Sequence, residues 1–204
     1  MTVATEVGPP TIQRRMTLAE YLDYEHDDDF RYELEDGVLV CMSGESHLNY
    51  RIAMMLVFVF SDLGIARTLL AIGHQIEVRS SYATCRDPDL MVHTVESDAA
   101  LNADNKVLYL GLPSPLLVVE VASSTLTNST SRKRDYESKP REYADRGISE
   151  MWIVDPDRLW VQVGTLTDGS YQFETFTGGD AIVSPTFPEL NLTAAIVLSA
   201  GRRG

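Results

Sequence analysis

Apolar and polar positions follow one another along this chain with a changing period, and the changes mark its elements. Thr17-Leu-Ala-Glu20 has the form of a capping box, with Thr17 as N-cap and Glu20 at N3, so a helix is expected to about Glu25. The acidic run Asp27 to Asp29 ends it. "FRYELEDGVLVCM" then shows period two. Tyr32 and Leu34 alternate with Arg31 and Glu33, and Asp36-Gly37 supplies a tight turn, which predicts a hairpin. "HLNYRIAMMLVFVFSDLG" fits a buried helix ending at Gly64. "ARTLLAIGHQIEVRSS" reads as a second strand pair turning at Ile72-Gly73, "PDLMVHTV" as a short strand, and Glu96 to Lys106 as a polar loop.

Leu116 to Ala122 is the most strand-like segment, apolar on both faces and therefore expected at the centre of a sheet. A polar loop, "SSTLTNSTS", follows, and "PREYADRG" reads as a helix stopped by Gly147. "EMWIVDP", "RLWVQVGT" and "SYQFETF" are strands, with turns at Asp155 to Arg158 and at Asp168-Gly169. Helices interleaved with a mixed sheet make the class α/β or α+β. No internal repeat is present. A single domain over residues 16–199 is expected, with tails at 1–15 and 200–204.

Composition adds boundaries. The chain has 204 residues, 44 % of them hydrophobic and 23 % charged, which is ordinary for a globular domain. The longest apolar run, Ile52 to Phe60, is far short of the ~20 residues of a membrane span, and the N-terminus lacks the apolar core of a signal peptide. Cys41 and Cys85 form no CxxC pair, so a reducing cytoplasm is the expectation. The formal charge of −13 repels phosphate, which argues against a protein that coats nucleic acid. It suits a divalent cation, and it leaves room for a local basic patch, "SRKRDYESKPR", with Arg132, Lys133, Arg134, Lys139 and Arg141.

Two carboxylates stand where apolar residues would be expected. Glu120 interrupts the central strand, sharing a face with Val118 and Ala122, while Leu117, Val119 and Val121 take the other. Asp89 opens "DLMV" directly after Pro88. A buried carboxylate must find partners or become neutral. Two of them ~4 Å apart repel by about 4 kcal/mol at an effective dielectric of 20, and a hard divalent cation between them turns that cost into binding. The structural alternative is an Asp capping a turn and a Glu in a salt bridge.

These residues carry a resemblance. Pro88-Asp89, then "VVEVASS" some thirty residues later, then "RDYESKPREYADRGISEMWIVDP", resemble the PD-(D/E)xK nuclease superfamily. Within it the chain is similar to the Uma-type family of restriction endonucleases. The likeness runs from Met16 to Leu198 and takes in "RYELEDGVLV", "MSGESHLNYRI", "RDPDLMV" and "SPTFPELNL". The resemblance implies a restriction-endonuclease-like fold, a mixed central sheet flanked by helices, and Mg²⁺-dependent hydrolysis of DNA, with Mn²⁺ as a substitute. It implies Asp89 as the Asp of the "PD", Glu120 as the acidic residue of the "(D/E)xK", and Glu33 as an additional acidic residue. Asp89 and Glu120 would be the metal ligands, helped by a backbone carbonyl beside Glu120. One position departs from the pattern: Ala122 stands where the superfamily has lysine, and Lys139 matches a lysine migrated to the following helix. The implied partner is DNA, cut in a bacterial cytoplasm, and double-strand cleavage would call for a homodimer.

Pro140 follows Lys139 and leaves two geometries open. A helix beginning with Pro140 at N1 would put Lys139 at a helix N-terminus, beside a bound anion. A helix beginning upstream would lose a hydrogen bond at the proline and kink. His26, His47, His74 and His93 show no metal-ligand spacing, no GxSxG elbow surrounds Ser123 or Ser124, and Tyr143 is expected to pack. Two further readings stay open beside the nuclease: a nuclease fold kept for binding or regulation without turnover, and a metal-dependent hydrolase of RNA or another phosphate ester.

Overall fold

The computed structural model of the chain describes residues 14–25, 31–42, 47–101, 106–123 and 126–200. The stretches 1–13 and 201–204, the acidic run Asp27 to Asp29, His26 and Ser124 lie outside them. The expected capping box is formed: Thr17 Oγ1 accepts from the Glu20 amide at 3.2 Å, and Glu20 Oε2 accepts from the Thr17 amide at 2.8 Å. It opens α1 (Leu18–Leu22). The hairpin is β1 (Arg31–Glu35) and β2 (Val38–Met42), closed at Asp36 and Gly37. Both turn residues have positive φ, 48° and 80°, as a two-residue turn matched to strand twist requires. Gly37 is also needed for space, since a Cβ there would lie 2.5 Å from the Tyr82 ring.

α2 (His47–Asp62) buries one stripe, Asn49, Ile52, Ala53, Leu56 and Phe60, at helical spacing. The segment after it differs from expectation. β3 (Leu70–Ala71) and β4 (Gln75–Val78) do not pair with each other. β3 pairs with β6 (Leu90–Val92), while β4 pairs with β5 (Thr84–Arg86) and β7 (Val107–Leu108). Gly73, with φ of 78°, turns the chain from one sheet into another instead of closing a hairpin. The expected loop at Glu96 to Lys106 starts as a helix, α3 (Val95–Ala99), behind a second capping box from Thr94 and Ser97.

β8 (Leu117–Val121) is central and wholly buried, antiparallel to β6 and parallel to β9 (Glu150–Asp155). The crossover that a parallel pair needs is one continuous helical rod. It comprises α4 (Ser129–Lys133), a π-helical turn at Arg134–Ser138, and α5 (Lys139–Asp145). β10 (Trp160–Thr167), β11 (Ser170–Thr177) and α6 (Ala194–Ser199) complete the chain.

The mixed α/β class is as expected, but the strands form two sheets, ordered β2-β1-β5-β4-β7 and β11-β10-β9-β8-β6-β3. One core packs α2 and α6 against Leu117, Val119 and Val121 of β8. A second lies on the opposite face, where Val118 and Ala122 meet Ile76 and Val78 of β4 and Tyr143 of α5. A third puts Leu34 and Cys85 near Tyr21 of α1. Consecutive strands change sheet at five places, and the two shortest of these connections are 72–74, between β3 and β4, and 87–89, between β5 and β6.

At the first of these, His74 Nδ1 lies 3.0 Å from His93 Nε2, and His93 Nδ1 lies 3.0 Å from Ser97 Oγ. Burial and the neighbouring His74 push His93 down to about 4, against a weaker opposite pull from Asp98. The folded protein therefore prefers a neutral His93. Above pH 6.5 the pair has no pH effect, and between 6.5 and 4 the unfolded chain takes the proton first, so stability falls. The melting temperature is expected to drop over that window by on the order of 5 °C more in the wild type than in His93→Asn. Calorimetry at matched pH values checks this, and equal drops would disprove it.

Candidate active site

Alternation along two strands supplies the first half of the site. In β1, Leu34 points to the α1 side, so Glu33 and Glu35 point the other way. In β5, Cys85 pairs with Leu34 and shares its side, so Arg86 joins the two glutamates. Its guanidinium, fully buried, donates to Glu33 Oε2 at 3.0 Å and Glu35 Oε2 at 3.2 Å. From the rod, Glu142 takes the other edge of the fork, with Nε and NH2 of Arg86 at 2.8 and 2.9 Å from its two oxygens.

Glu120 comes from the six-stranded sheet. It shares the face of Val118 and Ala122 and so meets α5, where Lys139 and Tyr143 stand one turn apart. Lys139 Nζ donates to Glu120 Oε2 at 2.7 Å and lies 3.1 Å from Glu33 Oε1, bridging the two sheets. Tyr143 donates to Glu120 Oε1 at 2.6 Å. Asp89 immediately precedes β6, and its Oδ2 accepts the Val121 amide at 2.7 Å, so a carboxylate takes the place of a strand carbonyl where the ladder ends. The Val121 carbonyl accepts from Asn49 Nδ2 of α2 at 2.9 Å.

Electrostatics sort these groups. Burial alone would raise Glu33, but Lys139 and Arg86 hold it ionised at about 2. Glu120 is raised, by burial and by the nearby Glu33 charge, against the pull of Lys139. Burial would lower Lys139, yet Glu120 and Glu33 outweigh it and keep the ammonium above its ordinary value. Lys139 is thus a fixed positive charge and not a proton acceptor. Burial likewise pushes the Tyr143 phenol well above its usual value, so it remains a donor.

The four residues that the sequence singled out share one hollow of about 50 Å³. Its carboxylates are Glu33, Asp87, Asp89, Glu120 and Asp135; its cations are Arg134 and Lys139. The surplus of negative charge attracts a cation. Among the described residues, no three His, Cys, Asp or Glu side chains form a ready metal cage. The donors present are instead the carboxylates of Asp89 and Glu120 and the carbonyl of Val121. All are hard oxygens, and each carboxylate oxygen can accept more than one partner. That set fits Mg²⁺, which commonly uses one or two carboxylates and completes its shell with water and substrate.

Of the two geometries open at Pro140, the upstream start is the one found. The helix does not begin at Pro140: Lys139 has α-helical angles, φ −59° and ψ −46°, inside a continuous rod, so no helix N-terminus faces an anion there. The proline is accommodated by the preceding π turn, whose wider ladder gives room to a residue without an N–H. The basic patch also divides. Arg134 and Lys139 are buried, while Arg132, Lys133 and Arg141 are exposed. Lys139 does not pair with Asp135, which instead accepts from Arg134 Nε at 3.1 Å. Arg86 and Glu142 were not legible as site residues, although an arginine beside Pro88-Asp89 and a glutamate three residues after Lys139 were the available signals. Tyr143 packs as expected and bonds to Glu120 as well.

The comparisons with known proteins agree with this architecture. Residues 18–195 match the model of the Uma2 family, described as "Putative restriction endonuclease". No curated protein matches the chain. Among solved structures, a "putative nuclease belonging to DUF820" from Anabaena variabilis ATCC 29413 superposes with a TM-score of 0.68. The match covers 91 % of this chain and 99 % of that one at 17 % identity, a likeness of fold. With nearly its whole described length inside the family model, the chain belongs to the Uma2 family.

Proposed function

We propose that the protein is a metal-dependent endonuclease that hydrolyses DNA phosphodiester bonds in this hollow. The observation that carries the reading is the meeting of Asp89, Glu120 and Lys139, from three separate segments of the chain, around one cation-attracting space. Membership of a family described as restriction endonucleases supports the same class.

Asp89 and Glu120, with the Val121 carbonyl, are the residues to hold Mg²⁺ or Mn²⁺. When bound, such a dication polarises a phosphate oxygen and lowers the pKa of a water. The chain's own groups do the rest. Lys139 has three donors, and two are committed to Glu120 and Glu33. The third is available to orient the attacking water and to offset charge developing at phosphorus. Glu33, kept ionised by Lys139 itself and by Arg86, positions Lys139 from the opposite side. A single hollow addresses a single strand, so cutting both strands would bring two copies together, most simply about a two-fold axis.

The test is nicking of supercoiled plasmid with Mg²⁺ or Mn²⁺. Asp89→Asn keeps an oxygen for the Val121 amide but loses the charge. It is expected to cleave at least about 100-fold more slowly, and to bind Mn²⁺ more weakly by calorimetry, with little change in melting temperature. Equal cleavage by wild type and Asp89→Asn would sink the proposal. DNA binding without cleavage would favour a non-catalytic role, and activity confined to RNA would move the substrate class.

A further inference from the structure

The π turn at 134–138 has a geometric consequence beyond making room for Pro140. In an α-helix, residues five apart are rotated by about 140° from each other, so Arg134 and Lys139 would face different ways. Here the Lys139 amide donates to the Arg134 carbonyl, the i→i+5 bond of a π turn, which stacks the two residues one above the other. Both line the same hollow.

Their occupancies differ. Lys139 is tied to two carboxylates. Arg134 is only 9 % exposed, and its Nε is anchored on Asp135 Oδ1 at 3.1 Å. Among the described residues its two terminal nitrogens have no hydrogen-bond partner. An anchored guanidinium with open donors is a preformed fork for two oxygens of a tetrahedral anion. The five carboxylates around it make a free anion a poor guest, whereas a phosphodiester arriving with a dication is a good one.

Resting on the nuclease reading above, we infer that Arg134 is a further catalytic residue, donating from its terminal nitrogens to the non-bridging oxygens of the phosphate being cleaved. The contact strengthens as charge accumulates on those oxygens, so its loss falls on kcat more than on KM. Asp135 is then a positioning residue that sets the angle of the fork.

Single-turnover cleavage with Mn²⁺ tests this on wild type, Asp89→Asn, Arg134→Gln, Arg134→Lys, Arg134→Ala and Asp135→Asn. Duplex affinity is measured in Ca²⁺ and folding by thermal melts. Arg134→Gln is expected to lose at least about 100-fold in rate with less than about tenfold in affinity. Arg134→Lys should recover part of the rate. Guanidinium chloride at millimolar concentration should restore Arg134→Ala but not Asp89→Asn. Wild-type rates in Arg134→Gln, beside a dead Asp89→Asn, would overturn the role of Arg134 and leave the nuclease standing. Equal losses in Asp135→Asn and Arg134→Ala with no guanidinium rescue would show a merely structural pair. A wild type unable to cut DNA would remove the nuclease reading and this inference with it.

Discussion

Lys139→Met is expected to lose all cleavage and about 4 kcal/mol of stability, because it leaves two buried carboxylates without the cation between them. Methionine keeps most of the lysine stem, so the change reports charge and not volume. The ammonium sits 2.7 Å from Glu120 and 3.1 Å from Glu33, and all three side chains are almost sealed from water. Breaking a buried pair from one side costs several kcal/mol, since the remaining charge keeps its desolvation penalty and loses its compensation.

The variant has one way to relax. Glu120, already raised by burial, can take up a proton and present a neutral carboxyl to Tyr143. The sign of the pH dependence follows. A protonated Glu120 needs no counter-ion, so the loss in Lys139→Met should shrink as pH falls below the raised Glu120 pKa. Lys139→Met combined with Glu120→Gln imposes that neutral state at every pH and should regain about half of the lost stability. Urea denaturation at pH 7 and at pH 5 gives both comparisons. Cleavage should stay absent in the double variant, which separates the stability of the cluster from its chemistry. A single variant as stable as wild type would mean that the triad is not an ion cluster at all.

The sequence made some of this legible and hid the rest, for identifiable reasons. Elements carried by local chemistry were readable. Thr17 and Glu20 meet within one helical turn, Asp36-Gly37 closes adjacent strands, and the alternation around Glu120 assigns its face without knowledge of partners. The partition into two sheets was not readable, because a glycine turn at 73 looks the same whether the next strand folds back or crosses to another sheet. Asp89 and Glu120 stood out because a carboxylate in an apolar strand is costly. Arg86 did not stand out: its burial depends on Glu33, more than fifty residues earlier, and Glu142, more than fifty later. The π turn was hidden too, since an inserted residue in a helical ladder leaves no pattern except the proline that follows it.

The seam at 87–89 explains why these distant residues belong together. Glu33 and Arg86 are held by one sheet, Glu120 by the other, and the rod bearing Lys139 and Glu142 spans both. Charges that hold the two sheets in register also shape the hollow. Stability and chemistry should therefore fail together when the cluster is cut on the side away from the hollow, where no substrate contact is expected.

Arg86 offers that cut. Arg86→Met is expected to cost about 5 kcal/mol, at the upper end for a broken buried ion pair, because one guanidinium serves three carboxylates. Arg86→Lys should still cost about 2 kcal/mol, since a single ammonium cannot match the two-pronged contact to Glu142 while reaching Glu33. Lys139 remains in that variant, but Glu33 loses a partner and its hold on the ammonium loosens, so cleavage should fall about tenfold with folding retained. Arg86→Met combined with Glu142→Leu replaces a buried pair by apolar groups of similar size, which is often neutral, and should recover most of the stability. Urea midpoints of the three variants decide the matter. If the double variant is no more stable than Arg86→Met, the arginine's main debt is to Glu33 and Glu35 and not to the rod, and the coupling between the sheets runs through Lys139 alone.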